Sequence, residues 1–198
     1  MKQNMSLISN VPVLLQDAHG SIPYNMTNDY MFRAVLQSNN NVLRGLFCSL
    51  LHLSETEVIF VEITNPIILG KAIENKEFRL DINIRLYSDN FTLGVVDLSR
   101  IDLATEEDKE YYIDYWARLF KASTWEEIIM LASENKYLNE ASNTIFQLSA
   151  DEQIRKQCRD REEYYQDLRN YERVIAEKDA SIENLRSLLR KHGISEIE

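Results

Sequence analysis

Residues 80 to 86 alternate strictly in character. Leu80, Ile82, Ile84 and Leu86 are apolar, and Asp81, Asn83 and Arg85 stand between them. A period of two reads as a half-buried β-strand, expected from about Phe78 to Leu86. The chain must therefore supply a sheet with one face on a core. On this parity Asp81 lies on the face of Arg79 and Asn83, away from the apolar set. A carboxylate fixed on a rigid strand can ligate Mg²⁺, because hard divalent cations prefer oxygen. The alternative is the solvated face of an edge strand, since charges on strands are usually just exposed.

The remaining elements have to cover that sheet. Residues 1–23 carry scattered apolar residues with Pro12, Gly20 and Pro23 as breakers, which reads as a mobile arm ending in a turn. Thr27 or Asn28 can cap a helix to about Gln37, with Tyr30, Met31, Ala34 and Val35 as its apolar side. Asn39-Asn40-Asn41 breaks it. A second helix carries Val42, Leu43, Leu46, Phe47, Leu50 and Leu51 and is expected to pack on the sheet. Val58 to Ile63 reads as a strand. Phe91 to Leu98, interrupted by Gly94, reads as another, and a hairpin with the Phe78–Leu86 strand through Tyr87–Asn90 is the natural pairing.

Asp102, Glu106, Glu107, Asp108 and Glu110 could be taken for a metal cluster. They read better as acids at the positive end of a helix dipole, with Thr105 and Asp108 forming a box-like cap. One helix is expected from there through Ile113, Trp116, Ala117 and Phe120. Thr124-Trp125-Glu126-Glu127 is a second capping box, opening a helix with Ile128, Ile129, Leu131 and Ala132. A further helical stretch holds Leu138, Ala141, Ile145 and Leu148.

From about Ser149 the chain changes character. Tyr164, Leu168, Tyr171, Ile175, Lys178, Ile182, Leu185 and Leu189 recur at steps of four and three, a heptad seam with one polar intruder, Lys178. Gly193 stops the helix. A partner helix, from a second copy or folded back from this chain, is the physical expectation. The alternative is one amphipathic helix lying on the globular part.

A chain of 198 residues suits one domain plus an appendage, and 44% apolar with 27% charged residues is globular in character. The net charge of −10 disfavours a broad electrostatic grip on a phosphate backbone. A metal site with a small basic groove is compatible with it. No apolar run approaches the length of a membrane-spanning helix, so no membrane partner is expected. The N-terminus lacks a signal-peptide pattern, and a cytoplasmic protein is expected. Cys48 and Cys158 lack CxxC spacing and read as neither a metal nor a disulfide framework.

Two stretches carry a resemblance. Tyr24-Asn25-Met26-Thr27-Asn28-Asp29-Tyr30-Met31-Phe32-Arg33 and Lys76-Glu77-Phe78-Arg79-Leu80-Asp81-Ile82 resemble the opening of the PD-(D/E)XK nuclease family transposases, also called recombination-promoting nucleases of the Rpn type. The later segments Ile101–Thr105, Asp114-Tyr115-Trp116-Ala117 and Thr124–Glu127 are similar to the end of the same domain. The resemblance implies a Mg²⁺-dependent DNA endonuclease acting in recombination, with Asp81 as catalytic metal ligand and Arg79 or Lys76 near phosphate. It implies an α+β fold: a truncated restriction-endonuclease-like core over residues 24–148, after an arm at 1–23 and before a helical, coiled-coil-like extension at 149–198.

That chemistry needs two carboxylates on adjacent strands sharing a metal. In the family the second acid lies on the strand after the hairpin, with Lys or Gln two positions on. Here the chain passes from Leu86 to Tyr87–Leu98, and that strand is missing, as though the two ends of a family member were joined across a gap. Asp97 is the best substitute as second catalytic and metal-binding acid. With a two-residue turn at Asp89-Asn90 it falls opposite Ile82, on the apolar side. A bulge at Gly94 would bring it to the face of Asp81. Ser99 stands where the lysine should be. Asp29 is a weaker candidate, being equally a helix-start acid. Two functions follow: a nuclease with an incomplete active site, or a non-catalytic interaction protein that pairs with itself or with a full-length relative through its C-terminal helix.

Overall fold

A computed structural model of the chain describes residues 14–64, 82–86 (as backbone), 98 and 101–192. The chain divides into two compact units at Cys158/Arg159. In the first unit, α1 (Asp29–Ser38) and α2 (Asn40–Leu50) precede β1 (Val58–Ile63) and β2 (Ile82–Leu86). Then come α3 (Glu106–Glu110), α4 (Ile113–Lys121), α5 (Trp125–Ala132) and α6 (Lys136–Ala150). Helix α7 (Glu152–Lys191) begins in the first unit and forms most of the second. The chain is thus mainly helical with a two-stranded antiparallel sheet among the described residues, a mixed α and β architecture.

Local chemistry sets most of the helix starts. Asn28 Oδ1 accepts from the Tyr30 and Met31 amides, each at 3.1 Å, and so starts α1. Asn39 ends α1 and caps α2, accepting from Asn41 and Val42. The asparagine run is therefore a stop and a start at once. Both expected capping boxes form, Thr105 with Asp108 and Thr124 with Glu127. Asn135 caps α6 through the Tyr137 and Leu138 amides, both at 2.9 Å.

The core lies where α6 meets α1, α2 and α5. Tyr30, Met31, Ala34 and Val35 of α1 are buried, with Val42, Leu43 and Leu46 of α2 and Leu138, Ala141 and Ile145 of α6. Strand β1 lies on α2 and buries Val58 and Val61. Burying a side chain of this size contributes roughly 1.5–3 kcal/mol. Gly45 of α2 lets α6 approach. A Cβ there would sit 2.3 Å from Tyr137 Cγ.

Three expectations change. The helix expected from Thr105 through Phe120 is broken: α3 ends at Glu110, Tyr112 adopts φ 61°, and α4 begins at Ile113. No glycine or proline marks the break. The re-aimed α4 buries Asp114, Trp116, Leu119 and Phe120, and Trp116 Nε1 donates to Ser49 Oγ at 3.0 Å. The first unit also runs past the boundary expected at residue 148, because Ile154 and Cys158 are buried in the core. Asn28 Nδ2 donates to the Cys158 carbonyl at 3.0 Å. Finally, the described part of the N-terminal arm is tied down. Leu15 and Ile22 are buried, Ser21 bridges Thr124, and the Trp125 amide donates to Gly20 O at 2.9 Å.

Candidate functional site

Lys76, Arg79, Asp81 and Asp97 lie outside the described residues, as do Ser99 and, apart from Leu98, the strand expected at Phe91–Leu98. The described part of the expected catalytic strand is β2, which begins at the residue after Asp81 in sequence. It pairs antiparallel with β1: Ile63 with Ile82, Glu62 with Asn83, Val61 with Ile84 and Phe60 with Arg85. A bulge between Val58 and Phe60 ends the regular ladder.

This register exposes a signal that sequence reasoning missed. Glu62 is exposed on the strand adjacent to β2 and pairs with Asn83. A carboxylate on a neighbouring strand is what two-acid metal chemistry requires. The Val58–Ile63 stretch shows it as the acid among apolar residues, but only the pairing reveals which strand it accompanies.

Of the acids after Ile101, Glu106, Glu107 and Asp108 lie in the first turn of α3, Asp102 lies in a separate short turn at Ile101–Leu103, and Glu110 ends α3. Asp108 Oδ2 accepts from the Thr105 amide and hydroxyl, each at 2.8 Å. Those bonds hold its carboxyl below the usual range. Glu107 meets His52 Nδ1 at 3.0 Å. Among the described residues no group of three or more His, Cys, Asp or Glu could hold a metal. Asp29 is the first residue of α1, next to its cap. Cys48 and Cys158 are buried and not joined in a disulfide. Asp114 is a buried acid that the pattern did not separate from its neighbours; it lies 3.4 Å from Arg118 Nη2.

A cleft of about 430 Å³ opens beside α2 and the start of α6, lined by Cys48, Ser49, Glu55, Tyr111, Lys136 and Tyr137 among others. Arg44 donates to the carbonyls of Glu55 (2.6 Å) and Val58. Lys136 Nζ bonds Glu55 Oε2 at 2.6 Å and lies over the Tyr137 ring. That bond raises the lysine and lowers the glutamate. Burial pushes up the Cys48 thiol and the Tyr137 phenol. All four groups are thereby held in their ordinary charge states at neutral pH.

In the second unit the predicted seam is solvent-facing. Tyr171 is 69% exposed, Ile175 59% and Leu185 60%. No described helix is long and apolar enough to cross a membrane. Comparison with protein-family models, with curated proteins and with solved structures found no match.

Proposed function

We propose that the chain is a nuclease of PD-(D/E)XK descent, of the recombination-promoting, transposase-associated kind, acting on DNA with a reduced metal centre. The observation that carries this reading is the pairing of β1 with β2. It supplies an exposed acid, Glu62, next to the strand that follows Asp81 in sequence. Glu62 offers the oxygen donor that Mg²⁺ takes, so the donor type fits. Asp81 would be the principal ligand, with Asp97 or Glu62 as the second carboxylate and Arg79 and Lys76 toward phosphate. Bound Mg²⁺ would activate water and steady the charge developing on the phosphate. The chain's own part is to present oxygen ligands from neighbouring strands and cations to the DNA. Without the family's Lys or Gln, cleavage is expected to be weak.

Calorimetric titration with Mg²⁺ tests this, alongside cleavage of supercoiled DNA. Binding by the intact chain that disappears in Asp81→Ala, and in either Asp97→Ala or Glu62→Gln, supports a two-acid centre. An intact chain that neither binds Mg²⁺ nor nicks DNA overturns the catalytic reading.

The exposed seam of α7 favours a second reading, a non-catalytic protein that works by association through this helix. A row of large apolar side chains left in water is a recognition surface or a liability. Sedimentation of the intact chain tests it: a monomer at all concentrations removes self-association.

A further inference from the structure

We infer that the seam of α7 is covered by a second copy of this chain, antiparallel, on a two-fold axis at residue 180. The inference rests on the association reading above and goes further by fixing orientation and register. The steps of three and four assign Leu168, Ile175, Ile182 and Leu189 to the a positions and Tyr164, Tyr171, Lys178 and Leu185 to d, with His192 continuing the d row. Val174 and Leu188 then fall at g, beside the seam, and both are exposed.

A parallel pair in register is poorly matched. It sets Lys178 against Lys178 in one core layer. It also puts Asp167 of each helix against Glu172 of the other, since g meets the following e in parallel pairs. Both are like-charge contacts, and a lysine at a core position selects against such an alignment.

The antiparallel pair about residue 180 removes both conflicts. Ile175 faces Leu185, Tyr171 faces Leu189, Leu168 faces His192 and Lys178 faces Ile182, each twice by symmetry. The e positions now bring Glu172 to Arg186 of the other copy. The g positions bring Val174 to Leu188, which explains apolar residues beside the seam. At the axis the e positions bring Asp179 to Asp179 of the other copy, and each carboxylate has a Lys178 of the other helix within reach, so the two cations and two carboxylates balance. The register one heptad nearer the N-terminus covers Tyr164 in place of His192, but it sets Glu172 against Asp179 twice and loses both Glu172–Arg186 pairs. The overlap from 168 to 192 exceeds the roughly three heptads that a coiled coil needs. Opposed helix dipoles add to the same preference.

Spin-label distances on the full chain decide the arrangement. Gln166 and Ala180 occupy outward f positions and are exposed. A nitroxide on Gln166→Cys or Ala180→Cys therefore leaves the seam intact. Cys48 and Cys158 are buried, and the parent chain is the labelling control. At 1.5 Å rise per residue, the two Gln166 labels lie about 42 Å apart along the axis and the two Ala180 labels lie level. The expected result is a distance longer by about 25 Å at Gln166 than at Ala180, allowing a common lateral offset of about 20 Å for f positions on paired helices. Equal distances at both sites mean a parallel pair and overturn the inference while leaving association standing. A difference nearer about 15 Å or about 34 Å means a one-heptad shift toward one end or the other and overturns the register. A monomer by sedimentation, or a mass above a dimer, overturns the inference, and the monomer takes the self-association reading with it. As a second readout, Glu172→Arg weakens the dimer about tenfold and Glu172→Arg with Arg186→Glu restores it. No loss in the single variant contradicts the pairing.

Discussion

Gly45→Ala sets two helix effects against each other. Gly45 is inside α2 and buried. An alanine there would gain about 1 kcal/mol from helix propensity. Its Cβ would, however, lie 2.3, 2.5 and 2.7 Å from Cγ, Cβ and Cδ1 of Tyr137. Carbon atoms rest at about 3.5–4.0 Å, so the contact must open by more than about 1 Å. The atoms in the way are the root of the Tyr137 side chain, which a rotamer change does not clear. The Tyr137 amide is held at 2.9 Å by the Asn135 cap, so relief means moving the start of α6. Overpacking of this kind costs about 1–3 kcal/mol. Three contacts under 3 Å put the case at the upper end, and the net loss is expected near 2 kcal/mol after the ~1 kcal/mol propensity gain. Urea unfolding of the full chain reads it directly. In a Tyr137→Gly background the clash is gone and the same substitution should stabilise by about 1 kcal/mol. A neutral or stabilising Gly45→Ala in the parent refutes the close approach. So does a cost that persists in the Tyr137→Gly background.

Two further outcomes follow from the hydrogen bonds. Ser49→Ala strands the buried Trp116 indole N–H and should cost about 1–3 kcal/mol in urea unfolding; a change under about 0.5 kcal/mol would mean the indole finds another acceptor. Glu127 accepts from the Ser123 amide at 2.7 Å and the Thr124 amide at 3.2 Å, which lowers its carboxyl below the ordinary 4.5. A depressed folded value gives stability that is complete above about pH 4.5 and lost as pH falls through the lower folded value. Glu127→Gln should therefore be less stable at pH 7 and lose less on acidification. Stability curves for the two proteins that run parallel from pH 7 to about 3 would rule out that linkage.

Local elements were legible because their causes are local. The caps at Asn28, Thr105 and Thr124 satisfy amides two or three residues away, so the side chain and its partners share one short stretch of sequence. The same holds for the Val58–Ile63 strand and the seam of α7, where one repeat states both period and apolar face. The break at Tyr112 was not legible. It carries no breaker residue and exists because α4 must turn Trp116 toward Ser49, a residue on another helix. Nor was the end of the first unit, since the charged composition after Ser149 hides Ile154 and Cys158, whose burial depends on surfaces far away in sequence.

The candidate site divides the same way. Alternation alone predicts Asp81 on the face of Arg79 and Asn83, because strand parity belongs to the residue pattern. Which strand neighbours it could not be read from that pattern. Pairing is a long-range choice made by the packing of β1 on α2, and it is this choice that brought Glu62 beside Asn83. The sequence by itself determined periods, caps and the charge order along α7. The tertiary structure decided which strand accompanies β2, where the helix after Thr105 breaks and how closely α6 approaches Gly45, because each depends on atoms that meet only when distant segments pack.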